Sequence, residues 1–553
     1  MRLSSSVFHV ATGFVLLVCL FPLVAVAIAA FTGDLATVSS LADTVLLEFA
    51  LNTVGLVIVT CIGALIIGVS TAWLVTMTEF PGRRVLEIAL VLPFAFPAYV
   101  MAYAYTHVLD HPGIVQATLR DVFDWGPRDY WFPEVRSFGG AATMLTLVLY
   151  PYVYLLSRAA FISQSNAQFV AARTLGVGPW KAFFTVSLPM TRTAALGGAV
   201  LVAMETIADY GTVSFFSVRT FATGIYQAWV SFADRSAAAQ LALGLLAFAL
   251  LLALLERTGR RPDVMAHGKR RVRMPRFQLT GAKARLATAA CATPVLLGAV
   301  IPAVALFFMA QASEQVLFSD RYLLFVSNSL ILASTGALVT ITAAVALTSA
   351  RRIAPGRLTS SAVQAARLGY AVPGGVIAVG LMVPAASFDN ALDAYMRVNF
   401  GISTGLLITG SIVLMVAAYM VRFLAVALAA YEGGAAAVSP NLDHVARTLG
   451  AGPMRSTLRI HLPLLAPSLL TGTLIVFVDV MKELPATLIL RPFNFDTLAV
   501  QAHRLASDER LTGAAVPSLV LVAIGLIPTI LLCRRVGRED AGSTTPAAPS
   551  APA

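Results

Sequence analysis

The chain has 553 residues, of which 58% are hydrophobic and only 12% charged, and its mean hydropathy is +0.81. A soluble domain carries about one quarter charged residues, so an aqueous globular fold is excluded. The net charge of +11 does not indicate nucleic acid, because the basic residues gather in alternate loops between apolar runs and no recognition motif accompanies them.

The apolar runs approach the length of about 20 residues that crosses a hydrocarbon core as helix, and the alternating pattern of an outer-membrane barrel is missing. The pattern predicts an all-α polytopic membrane protein with about twelve spans, near 8–31, 49–77, 85–106, 139–160, 193–216, 237–255, 287–310, 323–350, 361–386, 403–427, 467–490 and 513–533. Pro or charge interrupts the third, fifth, ninth and eleventh, which is tolerated where neighbouring helices resatisfy the backbone. The first run follows Arg2 and ends in small residues near Ala27 to Ala30, as a cleaved signal would. It is longer than a signal's apolar core, so it reads as a retained span.

Between 257 and 285, Arg257, Arg260, Arg261, Lys269, Arg270, Arg271, Arg273, Arg276, Lys283 and Arg285 stand against Asp263 alone. Such a loop stays in the cytoplasm. Arg83 and Arg84, Arg351, Arg352 and Arg357, and Arg534, Arg535 and Arg538 then fall on the same side, and an even number of spans puts both termini inside. The opposite loops, such as 107–138 with Asp110, Asp121, Asp124, Asp129 and Glu134, are mixed or acidic.

Cys19, Cys61, Cys291 and Cys533 lie in or beside spans without metal-ligand spacing or a disulfide framework, and read as packing residues. Of the histidines at 9, 107, 111, 267, 444, 461 and 503, only His107 and His111 stand four apart, a spacing compatible with metal contact but better accounted for by a solvated loop pair. Tyr150-Pro151-Tyr152 and the prolines at 93 and 97 read as kinks and packing.

The chain is a tandem duplication. ARTLGVGPWKAFFTVSLP at 172–189 returns as ARTLGAGPMRSTLRIHLP at 446–463, an offset of 274 that continues without a gap through Glu205/Asp479 and Asp209/Glu483. Looser echoes join Asn52-Thr53 to Asn328-Ser329 and Leu92-Pro93 to Val372-Pro373. The expected organisation is a first six-span repeat over 1–256, a basic cytoplasmic linker over 257–285, a second six-span repeat over 286–536 and a disordered tail over 537–553. Six spans per copy is even, so the copies run parallel about an axis along the membrane normal, and a pathway at their interface is the natural function.

Each copy of the motif lies in a loop between the fourth and fifth spans, at 166–190 and 440–464, on the side of the basic linker. Gly176 and Gly450 suit left-handed helix ends, Pro179 and Pro453 the first turn of a following helix, and Pro189 and Pro463 a turn or helix start before the next span. The result is a short helical hairpin. The chain has no phosphate loop of the G-x-x-x-x-G-K-[ST] kind, so if ATP drives it another subunit binds the nucleotide.

These loops resemble the cytoplasmic signature of inner-membrane permeases of binding-protein-dependent ABC importers: Glu-Ala-Ala, three residues, Gly, nine residues, Ile, one residue, Leu-Pro. The copies here read Val170-Ala171-Ala172…Gly176…Val186-Ser187-Leu188-Pro189 and His444-Val445-Ala446…Gly450…Ile460-His461-Leu462-Pro463. The leading Glu is absent from both, so no role for it transfers. The resemblance implies a type I importer permease fold in a bacterial inner membrane. It also implies that each loop seats a coupling helix in one of two identical cytoplasmic ATPase subunits. Ala172, Arg173, Gly176, Pro179 and Pro189, with Ala446, Arg447, Gly450, Pro453 and Pro463, are at or near that contact. ATP and Mg would sit on those partners, with no cofactor on this chain, which is a permease and not an enzyme.

METIADYGTVSFF at 204–216 and MKELPATLILRPFNFDTLAV at 481–500 look like the fused permeases of ferric-iron importers, which implies a periplasmic iron-binding protein as a further partner. Thiamine or another small solute is the alternative cargo within the family. The residues add an argument of their own: Glu205 and Asp209 are four apart on one helical face, Asp479 and Glu483 repeat the spacing, and the two-fold brings four carboxylates to one path. They would touch a hard trivalent cation transiently, with Tyr210 a phenolic neighbour, while a stable metal site would defeat release. The rival reading pairs these acids with Lys482 or an adjacent arginine as a gate lock. An ion-coupled secondary transporter is the rival class, against which the paired hairpins count; a receptor or structural protein leaves them unexplained.

Overall fold

The structure, a computed structural model, describes residues 2–34, 36–163, 181, 183–259, 276–315, 319–353, 355–435, 438–439 and 441–542. In the first half the helices are α1 (Arg2–Thr32), α2 (Ala36–Thr44), α3 (Leu46–Met77), α4 (Arg83–Ala89), α5 (Ala98–Leu109), α6 (Ile114–Phe123), α7 (Phe138–Ser163), α8 (Leu188–Ala208), α9 (Gly211–Phe215), α10 (Phe221–Tyr226) and α11 (Arg235–Gly259). The second half supplies α12 (Gly281–Val295), α13 (Ile301–Gln311), α14 (Asp320–Ile353), α15 (Arg357–Gly369), α16 (Gly374–Phe400), α17 (Val413–Ala435), α18 (Asn441–Thr448), α19 (Pro453–Ser456), α20 (Leu462–Lys482), α21 (Pro485–Leu490), α22 (Leu498–Ser507) and α23 (Leu511–Gly542).

Among the described residues eleven helices are long and apolar enough to cross a membrane, or twelve when Arg83–Ala95 and Ala98–Phe123, bent by 96°, count as one broken span. This is a multi-pass membrane protein, as the hydropathy requires. Among the described residues two strands, Thr78–Glu79 and Phe277–Gln278, form one short parallel bridge that ties the end of the linker to the turn after α3. Arg276 Nη1 adds an ion pair to Glu79 at 3.5 Å. The linker residues 260–275 lie outside the described set; α12 begins at Gly281, inside the expected linker, and α23 continues to Gly542, so the tail expected to be disordered starts as helix.

The repeat is built into the hydrogen bonds. Asn52 Nδ2 donates to the Arg219 carbonyl at 2.9 Å, and Asn328 Nδ2 to the Asp496 carbonyl at 3.1 Å. Thr53 Oγ1 accepts from Phe221 N at 3.3 Å, and Ser329 Oγ from Leu498 N at 2.8 Å. In each half the second span thus holds the segment that leads into α10 or α22, whose N-terminal caps are Thr220 and Thr497.

The prolines refine the alignment. Pro97 and Pro373 both precede a helix with nearly the same backbone (φ −62°, ψ 139° and φ −57°, ψ 142°), so the counterpart of Pro373 is Pro97 and not Pro93. Pro189 and Pro463 do not follow a turn. Each lies in the first turn of α8 or α20 directly after a π-helical stretch, Phe183–Ser187 or Thr457–His461, and the second motif helix runs on as one span, Met454–Lys482. A proline removes one N–H and crowds the carbonyl four residues back; here those residues, Thr185 and Arg459, sit within the widened turn.

The halves are interlocked. Helix α1 packs on α14, α15 and α16 of the second half, while α12 and α13 pack on α3, α4 and α5 of the first. Close backbone approach makes this possible: a Cβ on Gly380 would lie 2.2 Å from the Pro22 carbonyl oxygen, and one on Gly298 2.7 Å from Pro93 Cγ. Without a hydrophobic drive between helices in lipid, such small-residue contacts carry much of the packing.

Candidate functional site

The interruptions noted in the sequence are where the site forms. α8 stops at Ala208 and α20 at Lys482, both short of the predicted ends, because the next residue turns extended: Asp209 (φ −68°, ψ 128°) and Glu483 (φ −69°, ψ 125°). Each carboxylate then collects the free N–H groups of the short helix that follows. Asp209 Oδ1 accepts from Thr212 N at 3.0 Å and Val213 N at 3.2 Å. Glu483 accepts from Ala486 N at 3.0 Å, Thr487 N at 3.1 Å and Thr487 Oγ1 at 2.9 Å. The expected four-residue helical spacing is therefore corrected, since Glu205 and Asp479 lie in the last helical turn while Asp209 and Glu483 lie at the break.

The acids nonetheless share one cavity of about 100 Å³ between the halves, lined by Glu205, Asp209, Tyr210, Asp479, Lys482 and Glu483 together with Arg422. Lys482 Nζ pairs with Asp479 Oδ1 at 2.9 Å and stands 4.3 Å from the centre of the Phe94 ring. Arg422, on α17, lies 3.7 Å from Glu205 Oε2 and 3.8 Å from Glu483 Oε1. Glu205, Glu483 and Asp479 each have a basic side chain within 4 Å, whereas Asp209 is held by the Thr212 and Val213 N–H groups and the Thr212 hydroxyl. Among the described residues no three His, Cys, Asp or Glu side chains converge on a metal position.

Aromatic groups contribute to the lining through Tyr99, Tyr152 and Tyr210, and these contact further rings around them. Tyr152 and Tyr370, one from each half, meet hydroxyl to hydroxyl at 3.3 Å. Tyr210 packs at a tilt against Tyr226 at 4.6 Å and edge-on to the His503 ring at 5.6 Å, and His503 Nδ1 is 3.1 Å from the Tyr103 hydroxyl of the other half. His107 and His111 take no part: His111 Nε2 lies 3.4 Å from the Pro127 carbonyl in the loop.

A profile of the binding-protein-dependent transport system inner membrane component family matches residues 64–258. The chain is 26% identical to the Fe(3+)-transport system permease protein FbpB 2 of Haemophilus influenzae over 490 residues, 88% of this chain and 89% of that one. It is 29% identical to the molybdenum transport system permease protein ModB of Escherichia coli over 34% of this chain and 82% of ModB. With the E. coli sulfate transport system permease protein CysW it shares 30% identity over 37% of this chain and 67% of CysW. The chain belongs to this family of inner-membrane transport components. Its members are transport permeases and not enzymes, and the long helices and hydropathy agree with that assignment.

Of the motif positions in this permease, Ala172, Arg173, Gly176 and Pro179 lie outside the described residues. In the second copy α18 ends at Thr448 and Gly450 follows with φ +76°, the left-handed end that the spacing predicts. Ala446 is buried, while Leu442, Val445 and Leu449 face outward, Leu449 with 80% exposure.

Sequence reading missed Arg422, Tyr152, Tyr370 and Gly374. A signal for Arg422 was present, since it is a lone charge in the apolar run 413–428 and such a charge marks a site by default. The tyrosines carry no such mark among many aromatics.

Proposed function

We propose that this permease is the membrane subunit of an ATP-driven importer for ferric iron. Cargo arrives from a periplasmic binding protein, crosses at the interface of the halves, and leaves into the cytoplasm, where both termini lie. Two ATPase subunits grip the hairpins at 166–190 and 440–464; closure of that pair on ATP favours one arrangement of the halves, as differential binding must. The outward apolar face of Leu442, Val445 and Leu449 on a polar hairpin supports a docking role, because a water-facing loop has no lipid to cover it.

The observation that carries the cargo is the charge of the cavity. Four carboxylates face two basic groups, Arg422 and Lys482, so the lining is net negative. That suits a hard cation and opposes an anion such as the sulfate for which CysW is named. The similarity to the Fe(3+) permease along almost the whole chain supports the same cargo.

The test is uptake into liposomes that hold the permease with its ATPase and binding protein. Ferric iron should accumulate only with hydrolysable ATP and regardless of a proton uncoupler. Uptake of thiamine or an oxyanion in place of iron would overturn the cargo, and uptake driven by a proton or sodium gradient without ATP would overturn the importer.

A further inference from the structure

Arg422 is held unlike the other buried arginines. Arg83 and Arg158 meet Glu87 at 2.8 and 2.5 Å, within hydrogen-bonding range. Arg422 is also nine-tenths buried, yet its nearest acids stand at 3.7 and 3.8 Å and its Nη1 makes no hydrogen bond. A guanidinium at that depth is costly unless it is paired, so it remains for the charge it meets and not for a fixed fork.

The surroundings set its partners and its space. Glu483 is anchored through Ala486 N and Thr487, so one partner is fixed by its own helix break. Gly374 leaves the space in which the pair sits: a Cβ there would lie 2.6 Å from Arg422 Nη1 and 2.5 Å from Glu483 Oε1. The other partner, Glu205, belongs to the opposite half. Both basic residues of the lining, Arg422 and Lys482, come from the second half, so the cation is supplied from one side only.

We propose that Arg422 is a tethered counter-ion for the path: its guanidinium occupies the acidic centre between Glu205 and Glu483 when cargo is absent, and a cationic cargo displaces it. Displacement breaks the link between the halves as the cargo enters, and return of the guanidinium competes the cargo off. Acidic groups can thereby line the route without becoming a trap. This deepens the iron reading and rests on the cargo being a cation.

The test uses the intact permease–ATPase complex and Tb3+, a trivalent probe whose binding does not depend on what the importer carries. In Arg422→Gln the unmasked acids should bind Tb3+ at least about tenfold more tightly than the wild type, and Glu205→Gln with Glu483→Gln in the same chain should abolish the gain. Arg422→Lys, whose ammonium reaches one acid at a time, should fall between. Iron uptake should drop in Arg422→Gln while iron retained after washing rises. Equal Tb3+ affinity in wild type, Arg422→Lys and Arg422→Gln overturns the proposal, and if Arg422→Gln does not assemble, equality of Arg422→Lys and wild type does so. Failure of wild-type iron uptake with the Tb3+ gain intact would instead overturn the choice of iron alone.

Discussion

Arg136 and Glu509 join the two halves through parallel hydrogen bonds, Nη1 to Oε1 at 2.6 Å and Nη2 to Oε2 at 2.7 Å. Asp110 stands 3.4 Å from Nε of the same arginine, and the guanidinium lies 5.0 Å over the Phe215 ring. Glu509 takes φ +59°, the left-handed region that a glutamate seldom enters, and there aims its carboxylate across the interface.

This link predicts a pH effect. The hydrogen bond from Arg136 holds the Glu509 carboxyl below the usual glutamate range. A depressed acid contributes its stability above the unfolded value, near 4.3, and loses it as pH falls through the lower folded value. The Glu509 side chain is 62% exposed, so water screens the pair and the contribution stays within about 1 kcal/mol. Thermal unfolding of the solubilised protein between pH 6 and 3 should show Glu509→Gln less stable at the upper end, with the difference vanishing towards the lower.

The repeated asparagines predict unequal costs from equal bonds. Asn328 is buried, whereas Asn52 is half-exposed, although each donates to a carbonyl of the equivalent loop. Water can replace the bond at Asn52. Asn328→Ala removes a donor held in a buried side chain from the part-buried Asp496 carbonyl and should cost about 1–2 kcal/mol, Asn52→Ala well under 1 kcal/mol. Midpoints of thermal aggregation compared in one detergent would rank them, and equal losses would refute the burial argument.

Much of this architecture was legible because a bilayer imposes length and apolarity on each span and a duplication repeats its landmarks. The four spans read as interrupted are the ones that break or stop: at Phe96-Pro97, after Ala208, before Pro373 and after Lys482. What the pattern could not give was the carboxylate chemistry of the breaks. Spacing along a continuous helix put Glu205 and Asp209 on one face, but Asp209 finds unpaired N–H groups of Thr212 and Val213 within reach and ends the helix to take them. The pairing of Arg422 with Glu205 joins residues 217 positions apart on different halves, and periodicity carries no information at that range.

Gly450 gives a test of the hairpin. Its φ of +76° lies in the left-handed region that favours glycine, and a Cβ there meets no neighbouring atom, so strain rather than collision would follow from a side chain. Gly450→Val should cost about 1–2 kcal/mol locally and redirect Ala451 relative to α18. With the proposed ATPase docked there, hydrolysis stimulated by the loaded binding protein should fall several-fold while the variant still folds, measured as phosphate release from liposomes.

The helix breaks divide the four cavity acids into two kinds, and that division decides which substitutions probe transport. Asp209 and Glu483 accept backbone N–H groups at the start of α9 and α21, so an amide keeps one acceptor of two and adds unwanted donors. Asp209→Asn and Glu483→Gln should each lower stability by about 1 kcal/mol, the worth of a cap, and any loss of flux would mix folding with conduction. Glu205 and Asp479 meet Arg422 and Lys482 and cap no helix. Glu205→Gln with Asp479→Asn should therefore depress iron uptake several-fold, and because each change removes one partner of a buried ion pair the unfolding midpoint should fall as well, so uptake is compared at equal recovery of the ATPase-bound complex. Undiminished uptake in that double variant would remove Glu205 and Asp479 from the path, and a matching fall in complex recovery would make them structural.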